Sequence, residues 1–222
     1  MIEQFLSILM IMLTFSQATL DGAVDQMSLG GNLMIANRQY LLSSTFVPEN
    51  LVEPKVKKAG SGATICQVAA TALEEMFKTA KSEKGYTLIA ISGYRSYAKQ
   101  KRIFDGNVRD DGYEKTITYS APPGASEHQT GLVMDIGCPS NSYLTQAFGK
   151  TKEGKWVAEN AHRFGFIIRY KEGWEDITGY SYEPWHLRYV GKEHAERIYE
   201  LDIPLEYYIK ALFEAKIQKM GK

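Results

Sequence analysis

Two short segments of the chain carry histidines and carboxylates that could together hold a zinc ion and activate water. The first segment, 126–135, contains His128 and Asp135, seven positions apart. On an unbroken strand an odd separation would place these two side chains on opposite faces, but Thr130-Gly131 offers a bend that can bring both to one point. Imidazole with one carboxylate suits Zn²⁺, and a third ligand must come from elsewhere.

The second segment, 182–189, contains Glu183 and His186 on either side of Pro184. His186 could supply the third ligand, and Glu183 would then lie close to the metal without binding it. Three protein ligands, one open position and a carboxylate that takes a proton from water are what a zinc peptidase needs. The chain has no H-E-x-x-H motif, so an enzyme of the thermolysin type is excluded.

Two further segments place cationic side chains near the ends of predicted strands. Residues 92–96 read Ser-Gly-Tyr-Arg-Ser, and an arginine fixed there, Arg95, can clamp a carboxylate or stabilise an oxyanion. Residues 165–170 predict a core strand with Arg169 and Tyr170 at its end.

The elements that must position these residues follow from the periodicity of the apolar side chains. Helices and short strands alternate irregularly, which predicts one α+β domain with a small antiparallel sheet and flanking helices. The predicted helices cover 63–80, 96–108, 156–163, 192–199 and a last segment that Pro204 opens. The predicted strands cover 86–92, 132–136, 166–170 and 185–190, and 109–125 is predicted to be loop.

The first and last of these helices carry more detailed expectations. Gly85 stands just beyond the first helix, where a stop signal belongs. The apolar side of the first helix is predicted to contain Ile65, Val68, Ala69, Ala72, Leu73, Met76 and Ala80. The apolar side of the last helix is predicted to contain Leu205, Tyr208, Ile209, Leu212 and Phe213. His162 and His194 have no partner motif and are expected on exposed helix faces.

The composition excludes several classes of protein. Of the 222 residues, 44% are apolar and 23% charged, which is typical of a globular chain and excludes disorder as the main state. No stretch reaches the roughly 18 apolar residues of a spanning helix, which excludes a polytopic membrane protein. Lys and Arg number 26, as do Asp and Glu, and the absence of a basic block excludes a nucleic-acid partner. Cys66 and Cys138 could pair after export, but two unpaired thiols are favoured.

The N-terminus reads as a targeting segment. Residues 5–15 form an apolar run, and Ser16-Gln17-Ala18 precedes a suitable cleavage point, which is typical of a signal peptide or a membrane anchor. Glu3, with no basic residue before the run, argues against this interpretation, and a buried N-terminal helix is the alternative. Because the apolar run and the cleavage point favour export, we expect an extracytoplasmic protein of the cell envelope. The expected organisation is a signal peptide or anchor at 1–18, an extended lead-in at 19–60, a zinc peptidase domain at 61–210 and a helical tail at 211–222.

Taken together, the motifs resemble the zinc D-Ala-D-Ala carboxypeptidase family. The resemblance covers about residues 33–210 and rests on the motifs at 92–96, 123–135, 165–170, 177–180 and 183–186. The family includes the vancomycin-resistance carboxypeptidases and dipeptidases and the L,D-carboxypeptidases of cell-wall recycling. The chain departs from relatives at Lys171 and Trp174, at positions expected to affect the cleft rim and not the zinc.

The resemblance implies a role for each of the motif residues. His128, Asp135 and His186 become the Zn²⁺ ligands, Glu183 the general base and acid, and Arg95 the group that binds substrate oxygen. The remaining positions expected to line the substrate site are Ser126, Gln100 and Tyr94. The implied fold is a small α+β domain shared with lysostaphin-type endopeptidases and the hedgehog signalling domain.

The implied substrate is a peptidoglycan stem peptide, and we consider three functions as expectations. The first is a D,D-carboxypeptidase that removes the C-terminal D-alanine from a pentapeptide. The alternative within the enzyme class is an L,D-carboxypeptidase that acts on a tetrapeptide. The alternative from another class is a non-catalytic zinc module that binds wall or a protein partner, and the presence of both Glu183 and Arg95 argues against it.

Overall fold

The computed structural model describes Ile8, Met27 and residues 30–221 of the chain. The helices within this part are α1 (Gln67–Lys84), α2 (Tyr97–Asp111), α3 (Tyr113–Thr116), α4 (Lys152–Asn160), α5 (Glu175–Thr178), α6 (Lys192–Leu201) and α7 (Leu205–Met220). The strands are β1 (Leu51–Val52), β2 (Ile65–Cys66), β3 (Ile89–Ser92), β4 (Val133–Gly137), β5 (Phe166–Tyr170) and β6 (Glu183–Tyr189). Short 3₁₀ turns cover Glu127–Thr130, Gln146–Lys150 and Ala161–Phe164.

Four strands form one antiparallel sheet in the order β3-β4-β6-β5, and β1 pairs with β2 separately. In the middle of the sheet, β4 and β6 are joined by the pairs Val133–Arg188, Met134–Leu187 and Asp135–His186. The predicted α+β class with a small antiparallel sheet and flanking helices is therefore confirmed.

The two faces of this sheet differ in character because successive side chains of a strand point to opposite faces. One face packs against α1 in the main apolar core, which includes Leu73, Met76, Ala90, Met134, Ile136, Phe166, Ile168 and Leu187. The opposite face carries Asp135, Arg169, His186 and Arg188, all of them buried. The sheet thus separates an apolar core from a buried polar layer.

Helix α1 begins four residues later than predicted. Ile65 and Cys66 form β2, which pairs with Leu51 and Val52, and this tertiary pairing overrides the helical periodicity at its start. Val68, which was assigned to the apolar face, is 47% exposed in the first turn. The predicted stop is confirmed, because Gly85 takes the left-handed conformation with φ 71° and caps the helix.

The other predicted elements are present with shifted ends. The strand predicted at 166–170 matches β5 at both ends. The prediction of a loop at 109–125 is wrong for its first residues, because α2 continues to Asp111 and α3 begins directly after Gly112. Gly112 has φ 81°, so this residue ends one helix and lets the chain turn into the next.

A second apolar cluster lies on the far side of β5 and involves the two last helices. It includes Leu33, Ile167, Val190, Ala195, Ile198, Leu205, Tyr208, Ala211, Leu212 and Ala215. Helix α7 crosses position 211 without a break, and Ala211, Leu212 and Ala215, at the start of the expected helical tail, are buried in this cluster. Phe213, predicted on the apolar side of the helix, is 53% exposed. His194, predicted to be exposed, is buried, and its Nδ1 is hydrogen-bonded to the Tyr208 hydroxyl at 2.8 Å.

The predicted targeting segment 1–18 lies outside the described residues, apart from Ile8. Ile8 is buried in the second cluster. Among the helices that the structure describes, none is both long and apolar enough to cross a membrane. Cys66 and Cys138 are both free thiols, which agrees with the favoured expectation.

Candidate active site

Three predicted ligands, His128, Asp135 and His186, meet in one buried cluster. One ligand atom from each lies within 4.8 Å of the others. His128 Nε2 is 3.2 Å from Asp135 Oδ2, and His186 Nδ1 is 3.3 Å from Asp135 Oδ1. All three residues are at most 5% exposed, so water screens this cluster very little.

The sheet and one turn bring these residues together. Asp135 and His186 are direct cross-strand partners, which places their side chains side by side on the same face. His128 enters from the 3₁₀ turn before β4, which ends at Gly131 in the left-handed conformation with φ 71°. A Cβ atom at Gly131 would lie 2.7 Å from the Cys66 sulfur, so this tight bend requires glycine.

A register shift in β6 explains how Glu183 and His186 reach one site although they are three residues apart. Ile168 pairs with Leu187, but Tyr170 pairs with Glu183, so extra residues of β6 are accommodated between the two pairs. Pro184 lies inside this irregular stretch, where the missing backbone N–H breaks the ladder. Such a bulge re-aims side chains, and here it places the Glu183 carboxylate 3.5 Å from His186 Nδ1.

A backbone carbonyl fixes the orientation of the His128 ring. His128 Nδ1 lies 2.7 Å from the carbonyl oxygen of Gly93, and both groups are buried. A carbonyl oxygen can only accept, so Nδ1 carries the proton and Nε2 is left with its lone pair toward Asp135. Gly93 is required for this approach, because a Cβ atom there would lie 2.1 Å from the Thr64 carbonyl oxygen.

The electrostatics of the cluster favour a cation. Burial would lower the pKa of His186, but the nearby carboxylates of Asp135, Glu127 and Glu183 outweigh it and raise that pKa to about 9. Burial would likewise raise the pKa of Asp135, but His128 and His186 hold it well below its usual value. The carboxylates around His186 therefore favour a positive charge at this position.

The geometry and chemistry of these donors fit zinc. Ligand atoms about 2.0–2.2 Å from a tetrahedral ion lie about 3.3–3.6 Å apart. Here one donor atom from each residue lies within 4.8 Å of the others, and each imidazole is near a different oxygen of Asp135. Asp135 Oδ1 is buried and has no hydrogen-bond partner among the described residues. Two imidazoles and one carboxylate also leave one tetrahedral position open, which is the pattern of catalytic zinc sites.

Glu183 differs from the ligands in its protonation. Burial raises the pKa of its carboxyl group to about 7, and Asp135 adds to the rise, although His186 and Arg95 oppose it. A cation bound beside it would favour the carboxylate and lower this pKa. A carboxyl group whose pKa lies near neutrality can both accept and return a proton, which suits a general base and acid.

Arg95 lies on the same cleft and is held in place by Gln100. The Arg95 Nη1 group donates to Gln100 Oε1 at 2.7 Å, and Gln100 Nε2 donates to the Ala121 carbonyl at 2.6 Å. Burial lowers the pKa of Arg95, while Asp135 and Glu183 oppose this change. The guanidinium is thus a preorganised positive charge beside the metal cluster.

The cleft has a volume of about 410 Å³ and is lined by most of the predicted site residues. Ser126, Gln100 and Arg95 line it together with the metal cluster and Glu183. Tyr94 is the exception, because it does not line this cleft. Four aromatic residues also line the cleft: Tyr170, Tyr180, Tyr182 and Trp185.

A second polar cluster adjoins the first and was missed. Glu127 Oε1 accepts from Arg169 Nε at 2.9 Å and from Arg188 Nη1 at 2.8 Å. Arg169 is also paired with Glu206 at the start of α7. In sequence, Glu127 is adjacent to a ligand and Arg188 is one of many strand residues, so nothing short of the sheet register reveals their contact.

The chain is similar to known peptidases over most of its length. The sequence profile of the VanY family, D-alanyl-D-alanine carboxypeptidase, matches residues 63–192. The Bacillus subtilis protein YodJ is 50% identical over 183 residues, which cover 80% of this chain and 67% of YodJ.

Solved structures give the same relationship. The LD-carboxypeptidase LdcB is 49% identical with a TM-score of 0.79, covering 82% of this chain and 87% of LdcB. A Zn(II) complex of the vancomycin resistance D,D-pentapeptidase VanY is 34% identical with a TM-score of 0.65, covering 80% of this chain and 98% of VanY. The chain therefore belongs to the VanY family of D-alanyl-D-alanine carboxypeptidases and is a hydrolase.

Proposed function

We propose that this hydrolase is a zinc-dependent carboxypeptidase that removes the C-terminal D-alanine from peptidoglycan stem peptides. His128, Asp135 and His186 hold the zinc ion. The observation that carries this proposal is that one buried donor atom from each of two imidazoles and one carboxylate lies within 4.8 Å of the others, a donor set that leaves one position of a tetrahedral ion open. The zinc-bound VanY structure, at 34% identity, supports the same choice of metal.

The roles of the remaining residues follow from their positions in the cleft. When bound, zinc lowers the pKa of water to about 7 and polarises the scissile carbonyl. Glu183 takes the proton from the attacking water and later gives it to the leaving amine. Arg95, fixed by Gln100, stabilises the negative charge that develops on the carbonyl oxygen. Ser126 contacts the substrate from the cleft wall.

The preferred substrate is the pentapeptide, which would make the chain a D,D-carboxypeptidase. The 34% identity to a D,D-pentapeptidase supports this choice. A specific observation favours the second candidate, an L,D-carboxypeptidase of the tetrapeptide, because the likeness to the LD-carboxypeptidase LdcB is higher, at 49% identity. The two activities require the same zinc chemistry and differ in the shape of the pocket around the residue that precedes the scissile bond.

We also propose that the protein acts outside the cytoplasm, where these peptides are exposed. The apolar run at 5–15 supports export or membrane anchoring. Peptidoglycan is the expected partner.

Mass spectrometry of two parallel digests tests the function. The zinc-loaded protein is incubated with a muropeptide pentapeptide and, separately, with a tetrapeptide, and a Glu183→Gln variant serves as the matched control. Loss of one alanine from the pentapeptide alone establishes the D,D activity, and loss from the tetrapeptide alone establishes the L,D activity. Loss from neither, with zinc bound, would contradict the proposed substrate class.

A further inference from the structure

Two buried polar atoms face each other behind the metal cluster without a hydrogen-bond partner. Glu127 Oε2 and His186 Nε2 are both buried and unpartnered among the described residues. They are 3.6 Å apart, slightly too far for a hydrogen bond and too close for an intervening water. A shift of a few tenths of an ångström would join them.

The Glu127 carboxylate is held so that only this oxygen is available. Its other oxygen, Oε1, accepts from Arg169 on β5 and from Arg188 on β6. Glu206 pairs with Arg169 from the far side, and the carbonyl oxygens of Asn32 and Met34 accept from Arg188. With both arginines fixed in this way, the carboxylate has little freedom to rotate, and Oε2 remains directed at His186.

We propose that Glu127 is a positioning residue, which accepts a hydrogen bond from His186 Nε2–H and thereby presents Nδ1 to the metal. This inference rests on the zinc site proposed above. It gives the two histidines different supports, since His128 is oriented by the Gly93 carbonyl and His186 by a carboxylate. Ligating histidines generally donate their second N–H to such a group, which fixes the ring and strengthens its binding to the metal.

The proposal makes a specific prediction for Glu127→Gln. The two arginines require an oxygen acceptor, so the amide would turn its NH₂ group toward His186 Nε2. An NH₂ group can only donate, so it would favour the tautomer with the proton on Nδ1, which blocks the metal-binding nitrogen. We expect zinc affinity to fall by about 10- to 100-fold.

Glu206→Gln is the matched control, because it removes a carboxylate from the same Arg169 but does not face His186. Zinc affinity is measured for the full chain and both variants by competition with a chromophoric chelator, and urea unfolding is followed in parallel. Both variants are expected to lose stability, but only Glu127→Gln is expected to lose zinc affinity. Equal zinc affinity for Glu127→Gln and wild type, or an equal loss for both variants, would overturn the proposal.

A measurement on the unsubstituted protein keeps the test decisive if Glu127→Gln does not fold. Long-range ¹H–¹⁵N spectra of the zinc-loaded protein report which nitrogen of His186 carries a proton. The proposal requires a protonated Nε2 that exchanges slowly, and a metal-bound Nε2 would overturn it. If the wild-type protein takes up no zinc, the proposed function itself fails, and this result is distinct from normal zinc uptake with an unaffected Glu127→Gln variant.

Discussion

Two buried polar clusters lie side by side on one face of the sheet, and they differ in how their charges are balanced. The first, which we call the balanced cluster, contains Arg169 on β5, Arg188 on β6 and the carboxylates of Glu127 and Glu206. Its two positive and two negative charges cancel. The cluster at the cleft contains Asp135, Glu183 and the imidazoles of His128 and His186, with Arg95 as the neighbouring arginine, so its charge depends on groups that can gain or lose a proton.

This difference separates a structural cluster from a reactive one. Buried charges that are paired and hydrogen-bonded stay fixed. The cleft cluster instead contains a carboxyl group, Glu183, whose pKa burial raises to about 7. Strongly shifted groups in a cleft mark sites of chemistry, and here two imidazoles and the Asp135 carboxylate can hold a cation.

Removing the cation should abolish the activity of the cleft cluster without disturbing the balanced one. We expect a strong chelator to eliminate hydrolysis and stoichiometric zinc to restore it. Zinc binds the folded state, so its addition should also raise the melting temperature. Peptidase assays and thermal scans of the same samples check this. Full activity in protein with no detectable zinc would contradict the proposal that the cleft cluster acts through a bound cation.

Replacing the reactive carboxylate should affect rate and not stability. Glu183→Gln is expected to lower kcat by about 10²- to 10⁴-fold, because it removes the group that transfers the proton. The free energy of unfolding should not fall, since burial already disfavours the charged form of Glu183. Glu175→Gln, an exposed change on α5, is the control and should leave both quantities unchanged. A destabilised Glu183→Gln variant with normal kcat would reverse the assignment.

Removing one charge from the balanced cluster should affect stability first. Arg188→Met leaves Glu127 with less compensation, and breaking a buried pair in this way lowers the free energy of unfolding by about 3–5 kcal/mol. The control is Lys171→Met, because Lys171 pairs with the exposed Asp202 and the change should cost about 1 kcal/mol or less. Urea unfolding measures both variants, and equal losses would mean that burial of the first pair has no consequence.

A smaller effect is expected at a buried polar pair that carries no charge. Burial lowers the pKa of His194, which lies 2.8 Å from the Tyr208 hydroxyl. The unfolded chain takes up a proton at this histidine near about pH 6.5, whereas the folded protein resists protonation, so stability should fall as the pH drops below that value. His194→Gln should show a flatter decline of melting temperature between about pH 7.5 and 5.5, and an unchanged slope would contradict this explanation.

The sequence could predict the residues of the cleft cluster because their types and local spacing are themselves informative. His128, Gly131 and Asp135 lie within one short segment, and Glu183 and His186 within another. The contact between the segments could not be derived from local pattern, since it depends on the register that pairs Asp135 with His186 across β4 and β6.

The errors have the same origin in long-range contacts. Pairing of 65–66 with 51–52 shortened α1 at its start, although the helical pattern continued through it. The local pattern predicts His194 on the surface, but in the folded chain α7 places the Tyr208 hydroxyl against it. Glu127 and Arg188 are 61 positions apart, and their ion pair exists only because the sheet places them on one face.

We propose that the cleft cluster binds zinc through His128 Nε2, Asp135 and His186 Nδ1. Anomalous diffraction at the zinc edge from crystals of the zinc-loaded protein tests it most directly. We expect one strong peak about 2.0–2.2 Å from these three donors, with Glu183 beside it but not bound. A peak elsewhere, ligation through His186 Nε2, or no peak in crystals equilibrated with zinc would contradict it.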